Sequence, residues 1–323
     1  MSVFSTSLIR RLVENVPGAG ASIRVFAAMT EGSLHWLLSR LYWRPQTSFR
    51  FRQSIFDTAP AGEFLVGSIA GETFIVAAGD QVIGRSLFVF GEFDFDKLAK
   101  VRTALGADWT AELLVDIGAN VGPICSPAVR RGYFSRAIAI EREPLNYALL
   151  VANIALNGLS SKIASLNLAF GDQDRQSLTF ELSETNRGDH RVRVRDEIGQ
   201  MKESDRKTIV VPSETFDTVI GNVDPSRTLI WIDTQGFEGF VLSGAAKAIS
   251  SRVPVVIEFW PYAMCRCGSY PVLKNALLQA GYVEYKDLNT MSGWLALTSE
   301  SLDLLKADVE TRGPQSYTDL LIR

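Results

Sequence analysis

Cysteine and histidine are scarce in this sequence. Its 323 residues include three cysteines and two histidines. Three cysteines form no even disulfide framework, and the Cys265-x-Cys267 pair has no second cluster of cysteine and histidine that would complete a structural zinc site. We therefore predict free thiols at Cys125, Cys265 and Cys267 in a reducing compartment, and no metal site.

The sequence also lacks long apolar runs and an excess of positive charge. No segment reaches about 18 uninterrupted apolar residues, the length that spans a membrane, and Arg10 and Arg11 interrupt the N-terminal apolar run too early for a secretory signal. The net charge of −3 argues against a surface adapted as a whole to nucleic-acid phosphates. We predict a cytoplasmic protein with no transmembrane segment and no nucleic-acid partner, and leave its oligomeric state open, a dimer included.

The first 100 residues are predicted to form an extension packed on a larger domain. Apolar residues recur at helical intervals in residues 4–16 and 27–42, which predicts two amphipathic helices. Attachment to a membrane surface is the alternative to packing for these helices. Three apolar segments then predict the strands of a small sheet: EFLVGSIAG, ETFIVAAGD and RSLFVFGEF. Residues 101–323 are assigned to the main domain.

Short apolar strands alternate with helices from residue 111 onwards. The strand segments are ELLVDIG, SRAIAIE, KIASLNLAFG, TLIWIDTQG and VPVVIEF. Alternation of this kind predicts an α/β fold, in which a doubly wound, mostly parallel sheet carries helices on both faces. A polar segment, residues 184–208, interrupts the alternation, and long polar loops on a rigid sheet often carry function.

A glycine-rich loop follows the first strand of this domain. The strand ends at Asp116, and Gly118, Asn120 and Gly122 follow at alternate positions, where glycines let a ligand approach the backbone. The spacing differs from the G-x-G-x-x-G loop of nicotinamide-binding domains. A carboxylate beside this turn would repel a pyrophosphate but suit an ammonium group, so a nicotinamide-dependent oxidoreductase is the less favoured alternative.

Acidic residues stand at the ends of the other strands. Glu141 ends the second strand, at the position from which an acid binds ribose hydroxyls. Asp172 follows the third strand, where it would either accept a hydrogen bond from an adenine amino group or belong to a Gly-Asp turn. Asp233 ends the fourth strand. Glu238 begins the next helix, either as a site residue or as a first-turn acid favoured by the helix dipole.

Together these residues resemble the FkbM family of methyltransferases. The resemblance covers residues 70–298 and rests on DIGANVG, AIEREPLNYALLVANIALNG, LAFGD, IDTQGFEGFVLSGA and VPVVIEF. It implies a Rossmann-like class I methyltransferase fold of about seven strands with the last one reversed, and a final hairpin from GYVEYKDL and GWLALTS. The family's Glu-Pro-x-Pro motif reads Glu141-Arg142-Glu143-Pro144 here. Glu143 is therefore an alternative to Glu141, although the phase of the strand favours Glu141.

The resemblance further implies that S-adenosylmethionine is the cofactor. Carried over residue by residue, the implied contacts follow the cofactor from one end to the other: Asp116, Gly118, Asn120 and Gly122 at the methionine end, Glu141 at the ribose and Asp172 at the adenine, with Asp233 facing the reacting centre.

Methyl transfer to an alcohol also calls for a base beside the acceptor hydroxyl, because an alcohol is a very weak acid. The candidate catalytic residues are His190, in the polar segment, and the acids Asp233 and Glu238. For His190 the alternative is a structural role, as a loop cap or a solvated side chain.

Acceptor recognition is predicted for residues of the polar segment and of the fifth strand. A strand over RVRVR places Arg191, Arg193 and Arg195 on one face, which would either recognise an anionic acceptor or block edge-to-edge pairing. Glu258 and Trp260 are candidate residues of the acceptor pocket. Their alternatives are an ion pair with a buried neighbour and packing in the core.

The predicted function is O-methyl transfer by direct displacement from S-adenosylmethionine to a hydroxyl of a sugar, a glycan or a secondary metabolite. This prediction of the acceptor rests on the family resemblance. The alternatives are methyl transfer to a lipid, protein or nucleic acid, and a protein that binds the cofactor without turnover.

Overall fold

The computed structural model describes residues 45–106, 109, 111–194, 199–201, 203–290 and 293–323. The chain divides into two compact units between Thr58 and Ala59, whereas the sequence predicts a boundary after residue 100. In the first unit the described element is helix α1, Pro45–Thr58. The helices predicted over 4–16 and 27–42 lie outside the described residues.

The second unit contains all the strands of the described chain. They are β1 (Phe64–Ile69), β2 (Glu72–Ala77), β3 (Leu113–Ile117), β4 (Arg136–Ile140), β5 (Ile163–Leu166), β6 (Ala169–Phe170), β7 (Gln176–Leu182), β8 (Arg191–Val192), β9 (Lys207–Glu214), β10 (Thr228–Ile232), β11 (Val255–Phe259), β12 (Glu284–Asp287), β13 (Leu295–Ala296) and β14 (Thr318–Ile322).

Its helices are α2 (Ile83–Val89), α3 (Phe95–Leu105), α4 (Cys125–Arg130), α5 (Pro144–Leu156), α6 (Phe216–Val219), α7 (Glu238–Ser243), α8 (Ala246–Ser250), α9 (Pro261–Cys267), α10 (Ser269–Gln279) and α11 (Ser299–Thr311), with a 3-10 turn at Glu203–Asp205. Among the helices of the described residues, none combines the length and the apolar character that crossing a membrane requires.

The largest sheet has the strand order β13-β12-β14-β11-β10-β3-β4-β5. Strands β3, β4, β5, β10 and β11 pair in parallel, and β14 runs antiparallel to both β11 and β12. The order therefore reverses between β3 and β10, which is the switch point of a doubly wound sheet. This arrangement confirms the predicted Rossmann-like class I methyltransferase fold, although two of the eight described strands of this sheet, β14 and β13, are reversed rather than one.

Both faces of this sheet are buried beneath helices. Alternate residues of each central strand enter two separate clusters, so that Val115 packs on one face and Leu114 on the other. Apolar residues of α7 and α10 join the first cluster, and those of α3, α4 and α5 join the second. Burial on both faces explains why these strands are nearly continuous apolar runs in the sequence.

Near the C-terminus the prediction was incomplete. The expected hairpin forms, with β12 pairing antiparallel to β13. The strand beside β11, however, is β14, which follows α11 and lies between β11 and β12. An acid at the second position of TDLLI obscures this strand in the sequence. In the structure Asp319 is buried within 2.6 Å of Lys97 Nζ.

One strand predicted in the small β region was wrong. Strands β1 and β2 form the expected hairpin, joined by Ala70 and Gly71, both with positive φ. The following segment RSLFVF lies mostly in helix α2 rather than in a strand. The carboxylate of Asp80 accepts hydrogen bonds from the backbone N–H groups of Val82 and Gly84, at 3.2 and 2.9 Å, and so supports the first turn of the helix.

The segment predicted as a single third strand is divided between two sheets. Strand β5 belongs to the large sheet, and β6 begins a four-stranded sheet of order β6-β9-β7-β8. The polar segment 184–208 lies largely between strands of this second sheet and contributes its edge strand β8. The strand predicted over RVRVR is shorter than expected, because β8 contains only Arg191 and Val192, and Arg195 lies outside the described residues.

Candidate functional site

The first predicted site residue, Asp116, lies within β3 near its carboxyl end. Its side chain is buried, and Oδ2 accepts a hydrogen bond from the backbone N–H of Cys125 at 3.1 Å. Burial, and then the neighbouring carboxylates Asp233 and Glu141, raise the pKa of Asp116 to about 7, although hydrogen bonds from Cys125 lower it. Asp116 is thus an acid in negative surroundings, where a cation would stabilise its charged form.

Directly after β3, the glycine-rich loop brings the ends of β3 and β10 into close contact. Gly118 has φ +91°, and a Cβ there would lie 1.8 Å from the carbonyl oxygen of Asp233. The backbone N–H groups of Gly118 and Ala119 both donate to the carbonyl of Ile140, each at 2.9 Å. A side chain at position 118 would therefore force the ends of β3 and β10 apart.

At the end of β4, Glu141 faces this loop. Its Oε2 accepts from the backbone N–H of Asn120 at 2.9 Å and its Oε1 from that of Glu143 at 2.7 Å. Glu143 is occupied differently, since it caps helix α5 through the N–H of Asn146 and pairs with Arg187 at 2.7 Å. Glu141 thus faces the glycine-rich loop and Glu143 faces α5 and Arg187, and the choice of Glu141 as the ribose ligand stays a prediction. Burial raises the pKa of Glu141.

A side chain that the sequence analysis missed connects two predicted site residues. The Nε2 of Gln235 donates to Oδ1 of Asp233 at 2.7 Å and to Oε2 of Glu258 at 2.8 Å. Gln235 itself has φ +60°, a left-handed conformation that is costly for a residue with a side chain and that often marks functional sites. In the sequence, only its position between Asp233 and Gly236 indicated a role for Gln235. The left-handed backbone that directs its side chain to both acids cannot be seen in a sequence.

Lys97 supplies positive charge behind these carboxylates. Its Nζ lies 2.8 Å from Oδ2 of Asp94 and 2.6 Å from Oδ2 of Asp319, and Asp319 pairs in register with Glu258 across β14 and β11. Burial raises the pKa of Asp319 to about 6 although Lys97 lowers it. The pKa of Glu258 is raised well above its ordinary value by burial and then by Asp233, which favours its protonated form.

Glu238 is turned towards its own loop. Its Oε1 accepts from the N–H and Oγ1 of Thr234 at 2.9 and 3.0 Å and from the N–H of Gly236 at 3.2 Å. The side chain is completely buried, and Oε2 has no hydrogen-bond partner among the described residues. Glu238 therefore holds the loop that carries Asp233 and Gln235, which favours a structural role over contact with an acceptor.

The raised pKa of Glu238 can be tested by measuring the free energy of unfolding at different pH values. Burial raises the pKa of Glu238 to about 7 in the folded protein, against about 4.3 for an unperturbed glutamate. The folded state thus binds this proton more tightly than the unfolded state, so the wild type loses stability as pH rises from about 4 through 7. We expect the free energy of unfolding of Glu238→Gln, relative to wild type, to increase between pH 5 and pH 8.5 in urea titrations.

A matched control is Asp303→Asn on the exposed face of α11. Hydrogen bonds from Tyr270 and Lys274 lower the pKa of Asp303 below 3.8, so its difference from wild type should stay constant over the same pH range. If Glu238→Gln showed the same constant difference, Glu238 would not carry a raised pKa.

His190 is buried, and its ring is already engaged. Its Nδ1 accepts a hydrogen bond from the backbone N–H of Ser183 at 3.0 Å, so a neutral ring carries its proton on Nε2. Burial, and then the positive charges of Arg142, Arg187 and Arg206, lower its pKa to about 3. Such a ring is a poor base at neutral pH, and these contacts argue against the predicted catalytic role of His190.

The predicted acceptor residues of the polar segment have protein partners. The guanidinium of Arg191 is buried, lies 2.5 Å from Asp189 and 2.8 Å from Glu203, and stacks 4.3 Å above the ring of Trp260. Arg193 lies 3.5 Å from Glu181. The indole N–H of Trp260 donates to the carbonyl of Pro314 at 2.7 Å. Recognition of an acceptor by these three residues stays a prediction.

A cleft lies along the carboxyl ends of the strands. The lining residues come from both sheets and are mostly apolar: Ile117, Gly118, Ile140, Arg142, Leu168, Ala169, Phe170, Phe180, Val192, Thr234 and Phe237. Asp172 is exposed in the turn after β6, two positions beyond Phe170. Its contact with adenine stays a prediction.

Among the described residues, no group of three or more histidines, cysteines and acids is placed to hold a metal ion.

Comparison with protein families gave one match. A family model described as the methyltransferase FkbM domain matches residues 116–284, which is more than half of the 323-residue chain. The matched range begins at Asp116 and includes Glu141, Asp233 and Glu258. No curated protein matches the sequence at a significant level.

Comparison with solved structures gave distant similarities. The FkbM methyltransferase of Methylobacillus flagellatus is 17% identical with a TM-score of 0.39, covering 66% of this chain and 44% of that one. A putative transferase of Pyrococcus horikoshii is 15% identical with a TM-score of 0.38, covering 80% and 71%. The tRNA m1G37 methyltransferase of M. jannaschii is 10% identical with a TM-score of 0.40, covering 82% and 55%. The chain spans less than half the length of the Methylobacillus protein, and likeness at this level says nothing about its acceptor.

Proposed function

Because the chain belongs to the FkbM methyltransferase family, we propose that it transfers a methyl group from S-adenosylmethionine to a hydroxyl group of a sugar, a glycan or a secondary metabolite. The observation that carries the proposal is the set of acids at four neighbouring strand ends. Asp116 is on β3, Glu141 follows β4, Asp233 follows β10 and Glu258 is on β11. Because parallel strands direct their carboxyl ends to one edge, all four acids border the switch point.

The charge of this edge fits the proposed cofactor. Burial raises the pKa of each of these four acids, and neighbouring carboxylates add to the effect. The cations that most strongly lower these pKa values are Arg142 and Lys97. Carboxylates thus outnumber the cations around them, and a positively charged ligand would relieve their repulsion. S-adenosylmethionine carries both an ammonium and a sulfonium group.

The lining residues suggest how the cofactor would be held. Phe170 and Phe237 provide an apolar wall of the cleft suited to adenine. Glu141 has acceptor oxygens for ribose hydroxyls, and Asp116 lies at the end where an ammonium group would gain most from a carboxylate. When bound, the cofactor would supply an electrophilic methyl group on sulfur.

For the acceptor, this chain would supply alignment and a proton acceptor. Asp233 is half-buried, and its Oδ1 accepts from Gln235 while its Oδ2 receives no hydrogen bond from the described residues. We assign the acceptor's proton to this oxygen, because general bases must lie within hydrogen-bond reach of the hydroxyl. Glu258, favoured in its protonated form, and Gln235 would keep Asp233 in place. Alignment of the reactants itself lowers a barrier by as much as about 7–11 kcal/mol.

Isothermal titration of the wild-type protein tests the cofactor assignment. We expect saturable binding of both S-adenosylmethionine and S-adenosylhomocysteine, and no binding of NADH, whose pyrophosphate would meet the carboxylates of the site. Acceptor panels of neutral sugars, uronates and small phenols, assayed by release of S-adenosylhomocysteine, then test the hydroxyl specificity. Binding of NADH in preference to S-adenosylhomocysteine would overturn the proposal.

A further inference from the structure

The segment Ser183–His190 crosses the edge of the sheet at Glu141, and we call it the strap. Its two ends are pinned together, because the N–H of Ser183 donates to Nδ1 of His190 at 3.0 Å. One end is also fixed to the large sheet, since the guanidinium of Arg142 donates to the carbonyl of His190. The strap is thus a loop with a fixed base beside the carboxyl end of β4.

The strap is also tied to the turn before α2. The backbone N–H of Gln81 donates to the carbonyl of Thr185 at 2.9 Å. The N–H of Arg187 lies 3.4 Å from Oδ1 of Asp80, the same carboxylate that supports the first turn of α2. These bonds involve the backbone of the strap, so they fix its path independently of most of its side chains.

Arg187, near the middle of the strap, contacts residues around Glu141. Its carbonyl accepts from Nδ2 of Asn120 at 3.1 Å and from Nδ2 of Asn146 at 3.0 Å. Its Nε donates to Oδ1 of Asn146 at 2.8 Å, and its guanidinium also donates to Oε2 of Glu143 at 2.7 Å. Because Asn120 and Glu143 each donate a backbone N–H to Glu141, these bonds close a ring around that carboxylate.

The ring buries the acid that the proposed function assigns to ribose. Glu141 is only 3% exposed, although a ligand must reach its carboxylate oxygens. The bond from Asn120 to the carbonyl of Arg187 joins the glycine-rich loop to the strap beside Glu141. The side chain of Arg187, in contrast, is 21% exposed, so it can leave its partners for water without disturbing the core.

We propose that Arg187 is the latch of this strap, a positioning residue that holds it closed over the cofactor site and releases it when S-adenosylmethionine enters or its product leaves. The proposal rests on the proposed function. In the latched state the carbonyl and guanidinium of Arg187 fix Asn120, Asn146 and Glu143, and Glu141 is covered. In the released state these bonds are exchanged for water, the pinned base persists, and Glu141 becomes accessible.

Surface plasmon resonance with S-adenosylhomocysteine as the probe tests the latch by kinetics. We expect Arg187→Ala to raise the dissociation rate constant about tenfold or more, the effect of losing a hydrogen bond between charged groups. The association rate constant should rise as well, because an unlatched strap admits the ligand more readily. Arg187→Lys keeps the ion pair with Glu143 but loses the fork that also reaches Asn146, and should give an intermediate dissociation rate.

A matched control is Arg131→Ala. Arg131 makes two hydrogen bonds to buried Glu72, at 2.9 and 2.7 Å, with a side-chain exposure of 27%, and it stacks on Phe95, so its contacts are with β2 and α3 rather than with the strap. The Arg131→Ala variant should lose stability as Arg187→Ala does. Its association and dissociation rate constants for S-adenosylhomocysteine should nevertheless equal those of the wild type. Rate constants of Arg187→Ala within twofold of wild type, or an equal change in Arg131→Ala, would overturn the latch.

Hydrogen exchange of the wild-type protein supplies a second measurement that needs no variant. Peptides covering the strap should exchange more slowly when S-adenosylhomocysteine is bound, because the ligand would favour the closed strap. Unchanged exchange in the strap with saturating ligand would contradict the proposal. If the wild-type protein bound no S-adenosylhomocysteine at all, the proposed function would fail first, and the latch with it.

Discussion

Glu141→Ala should weaken the binding of S-adenosylhomocysteine at least 100-fold. A carboxylate that accepts two ribose hydroxyls contributes about 1.5–3 kcal/mol through each hydrogen bond to a charged group, and two such bonds correspond to about 100-fold or more in affinity. Glu141 also accepts from the backbone of Asn120 and Glu143, so its loss would loosen the glycine-rich loop as well. Isothermal titration of wild type and variant measures the change.

The two effects can be separated by changing the ligand. The 2′-deoxy analogue of S-adenosylhomocysteine lacks one hydroxyl that Glu141 would bind, so wild type should bind it more weakly than the parent compound. Glu141→Ala should bind both ligands equally, because the partner of that hydroxyl is already gone. If the variant discriminated between the two ligands as strongly as wild type does, Glu141 would not be the ribose ligand.

Predicting the central strands from the sequence succeeded for a physical reason. Strands β3, β10 and β11 are covered on both faces, so they read as short apolar runs, and the residues that end them are polar because they reach the edge of the sheet. Asp116, Glu141 and Asp233 are all placed there by the structure. The carboxyl edge of the sheet, and with it the region of the site, was therefore predictable.

The side chains that complete the site were not predictable in this way. Gln235 contacts Asp233 and Glu258 only because its backbone is left-handed. Lys97 pairs with Asp319, which lies on β14, a strand that was not predicted. Arg187 comes from the polar segment, 41 residues after Asn146 in the sequence. Contacts between distant segments depend on the path of the chain, which short sequence patterns do not reveal.

The prediction for His190 rested on residue type alone. A rare histidine in a polar segment suggests a base, since its ordinary pKa lies near neutrality. Burial of the ring, and then the charges of three neighbouring arginines, lower the pKa of His190 to about 3, and its Nδ1 accepts a backbone N–H. Residue type and segment were informative about location, whereas the protonation state depended on neighbours that only the fold assembles.

Gly118→Ala should be the most damaging single substitution in the glycine-rich loop. The new Cβ would lie 1.8 Å from the carbonyl oxygen of Asp233, a backbone atom that cannot move without displacing the end of β10. The positive φ of +91° adds strain of its own. We expect a loss of more than about 4 kcal/mol in the free energy of unfolding, which is exceptional for one substitution, or failure to accumulate as folded protein.

Gly132→Ala separates the two causes. Gly132 also has a positive φ, +72°, but nothing lies within 4 Å of a Cβ there, so this variant reports the backbone strain of about 1–2 kcal/mol alone. Urea unfolding of both variants gives the contribution of the close contact as a difference. If Gly118→Ala were no less stable than Gly132→Ala, the ends of β3 and β10 would not be in contact. The strand ends that bring Asp233 beside Glu141 and Asp116 would then lie further apart than the proposed cofactor site requires.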